Sequence, residues 1–416
     1  MRPLERILPC VLSLLLSVLF TASLHAQDKS LHLAIGDPAR KDREAAVVLD
    51  GITDTRSGEV ITPAELPQRL AGARLVLVGE SHTDVDFHRV ELRVLEELVR
   101  AGRPVFVGLE MYPYPEQRFL DAWVDGRLTE EAFLHDSRWY ENWGFNWLYY
   151  RDLFLFARDH KLRLFAVNAP RDVVTAVRKK GFKNLTPDES AHIPADIDTA
   201  SPEHRTLFKS FFAAGGDSLH SGMDDAQWDA MIAAQSTWDA TMGFNAVKAL
   251  REHGGPDTVM VVLVGSGHVV YGLGIQRQAA RHFDGRIATV VPVNVRDDEG
   301  HEVKTVQASY ADFVWGLPAA TAPAYPSLGL STNPTDPGIG EKAGEKALKV
   351  ILVSGETPAE KAGVQVGDVI VSLDGTPVPD KETLNRLMAA KRWGDAAVLR
   401  VRREGETKEL RVALRR

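Results

Sequence analysis

Two stretches far apart in the chain repeat one pattern, and that repetition limits the folds open to it. Leu75-Val-Leu-Val78 runs into Gly79-Glu-Ser-His82, and Val259-Met-Val-Val-Leu-Val264 runs into Gly265-Ser-Gly-His268. Each is a short apolar run closed by Gly-x-x-His. Runs of this length without polar alternation read as buried strands. In an open α/β sheet, ligands bind outside the carboxyl ends of the strands, so two such strands would deliver two imidazoles to one pocket. A lone Gly-x-x-His reads as a histidine capping a strand-to-helix turn. Its recurrence on two fully apolar strands favours a shared site.

Three further runs fit the same scheme. Pro104-Val-Phe-Val-Gly-Leu-Glu110 ends on an acid, Leu162-Arg-Leu-Phe-Ala-Val-Asn168 leads into Ala169-Pro170-Arg171, and Ile287 to Val293 precedes Asn294. Helical patterns lie between most of them, which predicts an α/β fold with a mainly parallel or mixed sheet and helices on both faces. Glu80, His82, Glu110, Asn168, Arg171 and His268 then all fall at carboxyl ends of strands. Residues 47–62, with turns at Asp50-Gly51 and Ser57-Gly58, predict a small hairpin leading into the domain. After His82, the stripe Phe87, Val90, Val94, Leu95 and Leu98 predicts a helix ended by Gly102. His88 lies beside that stripe, within reach of the pocket or of the core.

Asp224 to His253 reads as one long helix with a buried face of Trp228, Met231, Gln235, Trp238 and Met242. Gln235 and Asp239 are one turn apart and share a side, where they supply the site or bond a loop. Residues 181–223, rich in turn formers, read as a lid or excursion. Seven of the twelve residues from Trp139 to Tyr150 are aromatic. Such a run lines a flat apolar ligand or fills a helix–sheet core. Its tyrosines, Tyr140, Tyr149 and Tyr150, are of the type that ligates haem iron.

Two His and two Glu suit a hard or borderline divalent metal, and a Glu beside a bound water can serve as general base. Glu80, His82, Glu110 and His268 are therefore both the catalytic and the metal-ligand candidates. The same carboxylate edge with Arg171 equally suits haem propionates. The His-Glu-x-x-His helix of zinc proteases is absent.

Arg2 and Arg6 followed by the apolar run Ile7 to Ala22 predict a secretory signal peptide over residues 1–26, cleaved near Ala26. The sole cysteine, Cys10, lies within it, so the mature chain would have no disulfide, thiolate zinc site, iron–sulfur cluster or covalent haem attachment. The chain carries −8; the segment nets +1, leaving −9. No basic patch suits nucleic acid, and no later segment is long enough to span a bilayer.

Beyond Asp312-Phe-Val-Trp315 the chain turns rich in Pro, Ala and Gly, as linkers are. The last stretch reads as a small β-rich domain. The expected division is a domain over 45–316, a linker over 317–325 and a second domain over 326–416.

The first domain resembles the ChaN family of the haem-binding uptake, Tiki-like superfamily. The resemblance rests on the order of Gly79-Glu-Ser-His82 with His88, Gly108-Leu-Glu110-Met111, Asn168-Ala-Pro170, Gln235 with Asp239 and Met242, and Gly265-Ser-Gly-His268. The last stretch resembles a bacterial-type PDZ domain through Leu328-Gly-Leu330, Thr357-Pro-Ala-Glu-Lys-Ala-Gly363, Val366-Gly-Asp-Val-Ile370 and Leu373-Asp-Gly375. The resemblances imply an exported protein of a bacterial envelope, periplasmic or secreted, that binds haem or iron and works in its acquisition or handling. His88, Tyr140, Tyr149, Tyr150, Asn168, Arg171, Gln235 and Asp239 are its cofactor-binding candidates. They also imply that Leu328, Gly329 and Leu330 capture the carboxyl end of a peptide or protein. Two alternatives remain open: a metal-dependent hydrolase, peptidase or esterase, using Glu80, His82, Glu110 and His268, and an assembly factor with an inactive first domain. A homodimer is a further expectation. The chain departs from the family in lacking a lipidation cysteine after the signal.

Overall fold

The computed structural model describes residues 30–213, 223–297, 299–335 and 346–416. The expected signal segment lies outside them. The described chain separates into two compact units. One holds residues 30–133 and Tyr150–Thr321, and the other joins Leu134–Tyr149 to Ala322–Arg416.

The first unit contains ten strands: β1 (Glu44–Ala46), β2 (Ile52–Asp54), β3 (Val60–Ile61), β4 (Ala73–Glu80), β5 (Val105–Pro113), β6 (Arg163–Asn168), β7 (Val259–Gly265), β8 (Arg286–Asn294), β9 (Thr305–Gln307) and β10 (Phe313–Leu317). Eight of them form a mixed sheet in the order β3-β2-β10-β8-β4-β7-β5-β6. It is parallel from β10 to β6, while the predicted hairpin β2–β3 adds its strands antiparallel at one edge. The apolar runs are strands because both of their faces are covered. Val259 to Val264 are fully buried, and burying each Val or Leu is worth about 1.5–3 kcal/mol. Strand β10 extends the sheet where the sequence reading placed only a boundary. Its five residues are too short and too uniformly apolar to reveal a period. Residues before the expected start at 45 also join this unit: Leu31 is in the core, and Arg40 binds Asp312 and Thr55.

The register fixes the site. β4 and β7 are neighbours, and Glu80 stands opposite Gly265. β5 flanks β7 on its other side, with Leu109 opposite Leu263, so Glu110 ends its run at the same level. Four helices matter here: α1 (Val85–Arg100), α2 (Arg171–Lys180), α3 (Pro202–Ala213) and α4 (Asp225–His253). Asp84 caps α1 by accepting from the Asp86 amide. Asp224 and Gln227 form a capping box at the start of α4. The excursion after residue 181 holds α3 among its described residues.

The second unit is built on β11 (Leu330–Pro334), β12 (Leu348–Val353), β13 (Val369–Leu373), β14 (Thr376–Pro377), β15 (Ala396–Arg403) and β16 (Glu406–Ala413), with α5 (Lys381–Ala389). The strands pair antiparallel in the order β11-β12-β13-β15-β16, and β14 adds to β13. The tight turn predicted at Asp374-Gly375 joins β13 to β14, both residues having positive φ. The aromatic run belongs largely to this unit. Trp139, Tyr140, Trp143, Trp147 and Tyr149 are all buried. Trp139 Nε1 donates to the Phe145 carbonyl at 2.8 Å, Asn385 Nδ2 of α5 donates to the Tyr140 carbonyl at 3.0 Å, and Asn146 Nδ2 donates to the Ala389 carbonyl at 3.1 Å. The run therefore serves as interior packing, the second of its two sequence readings.

Candidate functional site

The carboxyl edge of β4, β7 and β5 gathers alternating acids and imidazoles. His82 Nδ1 donates to Glu80 Oε1 at 2.7 Å. His268 Nδ1 lies 2.6 Å from Asp239 Oδ1 and 3.0 Å from Gln235 Nε2, both on α4. Each imidazole thus gives Nδ1 to a buried carboxylate, which fixes the tautomer that leaves Nε2 as the outward nitrogen. The outward nitrogens converge on Glu110. His268 Nε2 is 3.3 Å from Glu110 Oε1. The other oxygen, Oε2, accepts the Gly265 amide at 2.7 Å. A methyl group placed on Gly265 would stand 3.3 Å from His82 Nε2 and 3.7 Å from Glu110 Oε2. The bare glycine therefore leaves a small space shared by those two atoms.

The electrostatics follow the geometry. Burial pulls the His268 imidazole down, but Glu110 and Asp239 overrule it and raise its pKa to about 10. His82 is likewise pulled down by burial and raised overall by Glu80 and Glu110. Burial pushes the Glu110 carboxyl up, yet His268 and His82 hold it below the usual value. Behind Glu80 lies a second layer. His88 Nε2 is 3.2 Å from Glu80 Oε2, His88 Nδ1 is 2.8 Å from Glu91 Oε2, and the Tyr150 hydroxyl donates to Glu80 at 3.1 Å.

Of the residues predicted for the site, Glu80, His82, His88, Glu110, Tyr150, Gln235, Asp239 and His268 meet in this one network. Asn168 braces it: its Nδ2 donates to the Glu110 carbonyl and its Oδ1 accepts the Ala169 amide. Arg171 opens α2 beyond β6 and is exposed. Tyr140 and Tyr149 belong to the other unit, where the Tyr149 hydroxyl accepts the Tyr325 amide. The sequence reading missed Glu91, His204 and Phe211. Glu91 was visible as an acid one turn beyond His88. His204 Nε2, on α3, lies 3.5 Å from Asp239 Oδ2, an ion-pair distance, and burial lowers its pKa. Phe211 passes beside Gly267, and Trp238 stands edge-on to His268 at 6.4 Å. These two rings give the polar edge an apolar border.

A family model described as haem-binding uptake, Tiki superfamily, ChaN matches residues 66–278, just over half of the chain. The chain belongs to the ChaN family. A PDZ domain model matches residues 326–414. Among curated proteins, a probable periplasmic serine endoprotease DegP-like of Pseudomonas fulva is 42% identical over 77 residues, 18% of this chain and 15% of that protein. Its counterpart in Rhizobium meliloti is 33% identical over 90 residues, 21% and 18% of the two chains. The chain thus spans less than a fifth of the length of either relative. Among solved structures, ChaN of Campylobacter jejuni, described with cofacial haem binding, is 17% identical. It covers 66% of this chain and 96% of its own, with a TM-score of 0.49. An HtrA-type protease AlgW with a decapeptide is 23% identical, covering 22% of this chain and 30% of its own, with a TM-score of 0.20.

In the PDZ domain, Leu328 is buried and Gly329 has φ 75°. A side chain on Gly329 would meet Thr357 at 2.3 Å, so the loop requires glycine. The loop runs straight into β11, the edge strand of the sheet among the described residues.

Among the described residues, no helix is long and apolar enough to cross a membrane.

Proposed function

We propose that this is an exported haem- or iron-binding protein of the bacterial envelope, acting in haem or iron acquisition or handling, with a PDZ module that holds a peptide or protein carboxyl end. The observation that carries the reading is the convergence of His82 and His268 on Glu110 at the sheet edge of a ChaN-family domain. Haem iron needs an axial donor that a porphyrin face can reach. The imidazoles are the least buried members of the network, with side chains 11% and 12% exposed. Tyr150 is fully buried and donates to Glu80. Trp238 and Phe211 give the edge an aromatic border beside His268 and Gly267. Haemin titration of the full chain tests this. A saturable Soret shift that is altered in His82→Ala or His268→Ala supports it, and the absence of any shift rejects it. For the PDZ domain, a C-terminal peptide library with and without amidation tests carboxylate capture, which is wrong if amidation leaves affinity unchanged.

A second reading, a metal-dependent hydrolase, has its own support. Glu80, His82 and Glu110 bring ligand atoms within 4.8 Å of one another. One imidazole and two carboxylates are a donor set suited to a borderline or hard divalent ion such as Zn(II), Fe(II) or Mn(II). The residues that fit an ion are His82 and Glu110 with Glu80 beside them, and His268 Nε2 stands 3.3 Å from Glu110 Oε1 at the border of that set. Bound there, an ion would supply Lewis acidity and acidify a water. Elemental analysis and turnover of a peptide and ester library test it; a metal-free chain without turnover leaves the haem reading alone.

A further inference from the structure

Glu80 has three donors around it. His82 Nδ1 is on Oε1, His88 Nε2 stands at the ion-pair distance of 3.2 Å from Oε2, and the Tyr150 hydroxyl spans both oxygens at 3.1 and 3.2 Å. A carboxylate so surrounded is well fixed to aim His82. The question is what fixes His88, whose Nε2 donates to the His82 carbonyl at 3.3 Å.

The answer lies one turn further along α1. Glu91 accepts from His88 Nδ1 at 2.8 Å and is fully buried, and its other oxygen, Oε1, has no hydrogen-bond partner. A buried acid with one oxygen unsatisfied is a poor stabiliser; the bond it does make is its contribution. We propose that Glu91 is a positioning residue for His82, acting through His88 and Glu80.

Bonding at Nδ1 turns the His88 ring so that Nε2–H donates to the His82 carbonyl at 3.3 Å and stands 3.2 Å from Glu80 Oε2, and this holds His82 and the Glu80 carboxylate in one arrangement. The carboxylate so held takes His82 Nδ1–H and turns Nε2 towards Glu110. The same three residues, Glu80, His88 and Glu91, have ligand atoms within 4.8 Å. They do not read as a second ion site, because both nitrogens of His88 already face carboxylate oxygens. The inference rests on the reading of His82 as a ligand, and it extends it: the relay sets the tautomer before any ion or haem arrives.

The test uses the full chain labelled with 15N at histidine, recorded without ligand and alkaline enough to deprotonate one nitrogen of His82. Co(II) alone is the binding probe. In the parent chain, His82 should show one tautomer, protonated at Nδ1. Glu91→Leu should give a tautomer mixture and weaken Co(II) about ten-fold or more, the usual scale for loss of an outer-shell partner. Glu91→Gln, whose amide oxygen still accepts from His88, should restore both readouts. If Glu91→Leu does not fold, His88→Leu with Glu91→Leu removes the buried pair together, a replacement that cores tolerate, and should loosen His82 in the same way. An unchanged His82 spectrum in a folded variant lacking Glu91 overturns the proposal. A parent chain that takes no Co(II) overturns the metal reading instead, while the 15N comparison still decides the role of Glu91.

Discussion

His82 and His268 are held alike. Each turns Nδ1 to a buried carboxylate, Glu80 Oε1 at 2.7 Å and Asp239 Oδ1 at 2.6 Å, although one carboxylate comes from a strand and the other from a helix. Both imidazoles then direct Nε2 into the space bounded by Glu110. An amide in place of either acid can donate to Nδ1 and favour the opposite tautomer. Glu80→Gln and Asp239→Asn should therefore each weaken Zn(II) or Co(II) by about 10–100-fold without moving the ligand atoms. Calorimetric titration checks this, and equal affinity in both variants would remove the orienting role from the carboxylates.

The glycine beneath the imidazole gives a sharper probe. Gly265 does not have positive φ, so its backbone accepts alanine. The added methyl would stand 3.1 Å from His82 Cε1 and 3.3 Å from its Nε2. Gly265→Ala should lower metal or haemin affinity by at least about ten-fold, about 1.4 kcal/mol, while the melting temperature stays within a few degrees. Haemin and Co(II) titrations beside a thermal melt separate the two effects, and unimpaired binding would place the ligand elsewhere.

Loading an ion on His268 Nε2 must expel a proton, since its pKa is raised to about 10. Affinity should therefore rise with pH across the neutral and mildly alkaline range, with proton release on binding. Titrations in buffers of different ionisation enthalpy measure it. A pH-independent affinity would show that His268 is not displaced from its proton.

Stability should move the other way. Burial lowers the pKa of His88, but Glu80 and Glu91 raise it overall from 6.5 to about 9. A raised pKa means that the folded chain binds the proton more tightly. This contribution is complete below pH 6.5, is on the order of 3 kcal/mol, and is lost as pH rises through about 9. Glu91, lifted by burial and by Glu80 to about 7, has the same sign at lower pH. Denaturant melts of the ligand-free chain should show stability falling from neutral to alkaline pH, and His88→Leu with Glu91→Leu should flatten that slope.

The sequence made the sheet edge legible because a strand's carboxyl end is a local event: an apolar run stops and polar residues follow. That is why Glu80, Glu110 and both Gly-x-x-His motifs could be read together, and why β4 and β7 prove to be neighbours. Asp239 was legible as a polar residue on a buried helix face. His204 and Phe211 were not, because they arrive on a short helix within a turn-rich excursion whose docking no local period records. Strand β10 was hidden for the same reason. The aromatic run carried two readings because density of rings says nothing about which element covers them.

That run leads to the last prediction. The sequence suggests that residues 326–416 fold alone, yet in the structure α5 is capped by the aromatic segment through Asn385 and Asn146. Tyr149 also packs edge-on against Tyr325 at 4.9 Å. Two hydrogen bonds at roughly 1 kcal/mol each and one aromatic contact of about 0.5–1.5 kcal/mol are lost when the fragment is cut out. A domain of this size has about 5–13 kcal/mol in total, so the fragment should still fold, but with a lower urea midpoint than the domain has in the full chain. A synthetic peptide of residues 134–149 should bind the fragment and raise that midpoint, and Asn385→Ala, which removes one of the two hydrogen bonds, should reduce the effect. If the peptide neither binds nor stabilises, the segment contributes nothing to the PDZ domain, and its burial must be explained by its own ring-on-ring packing.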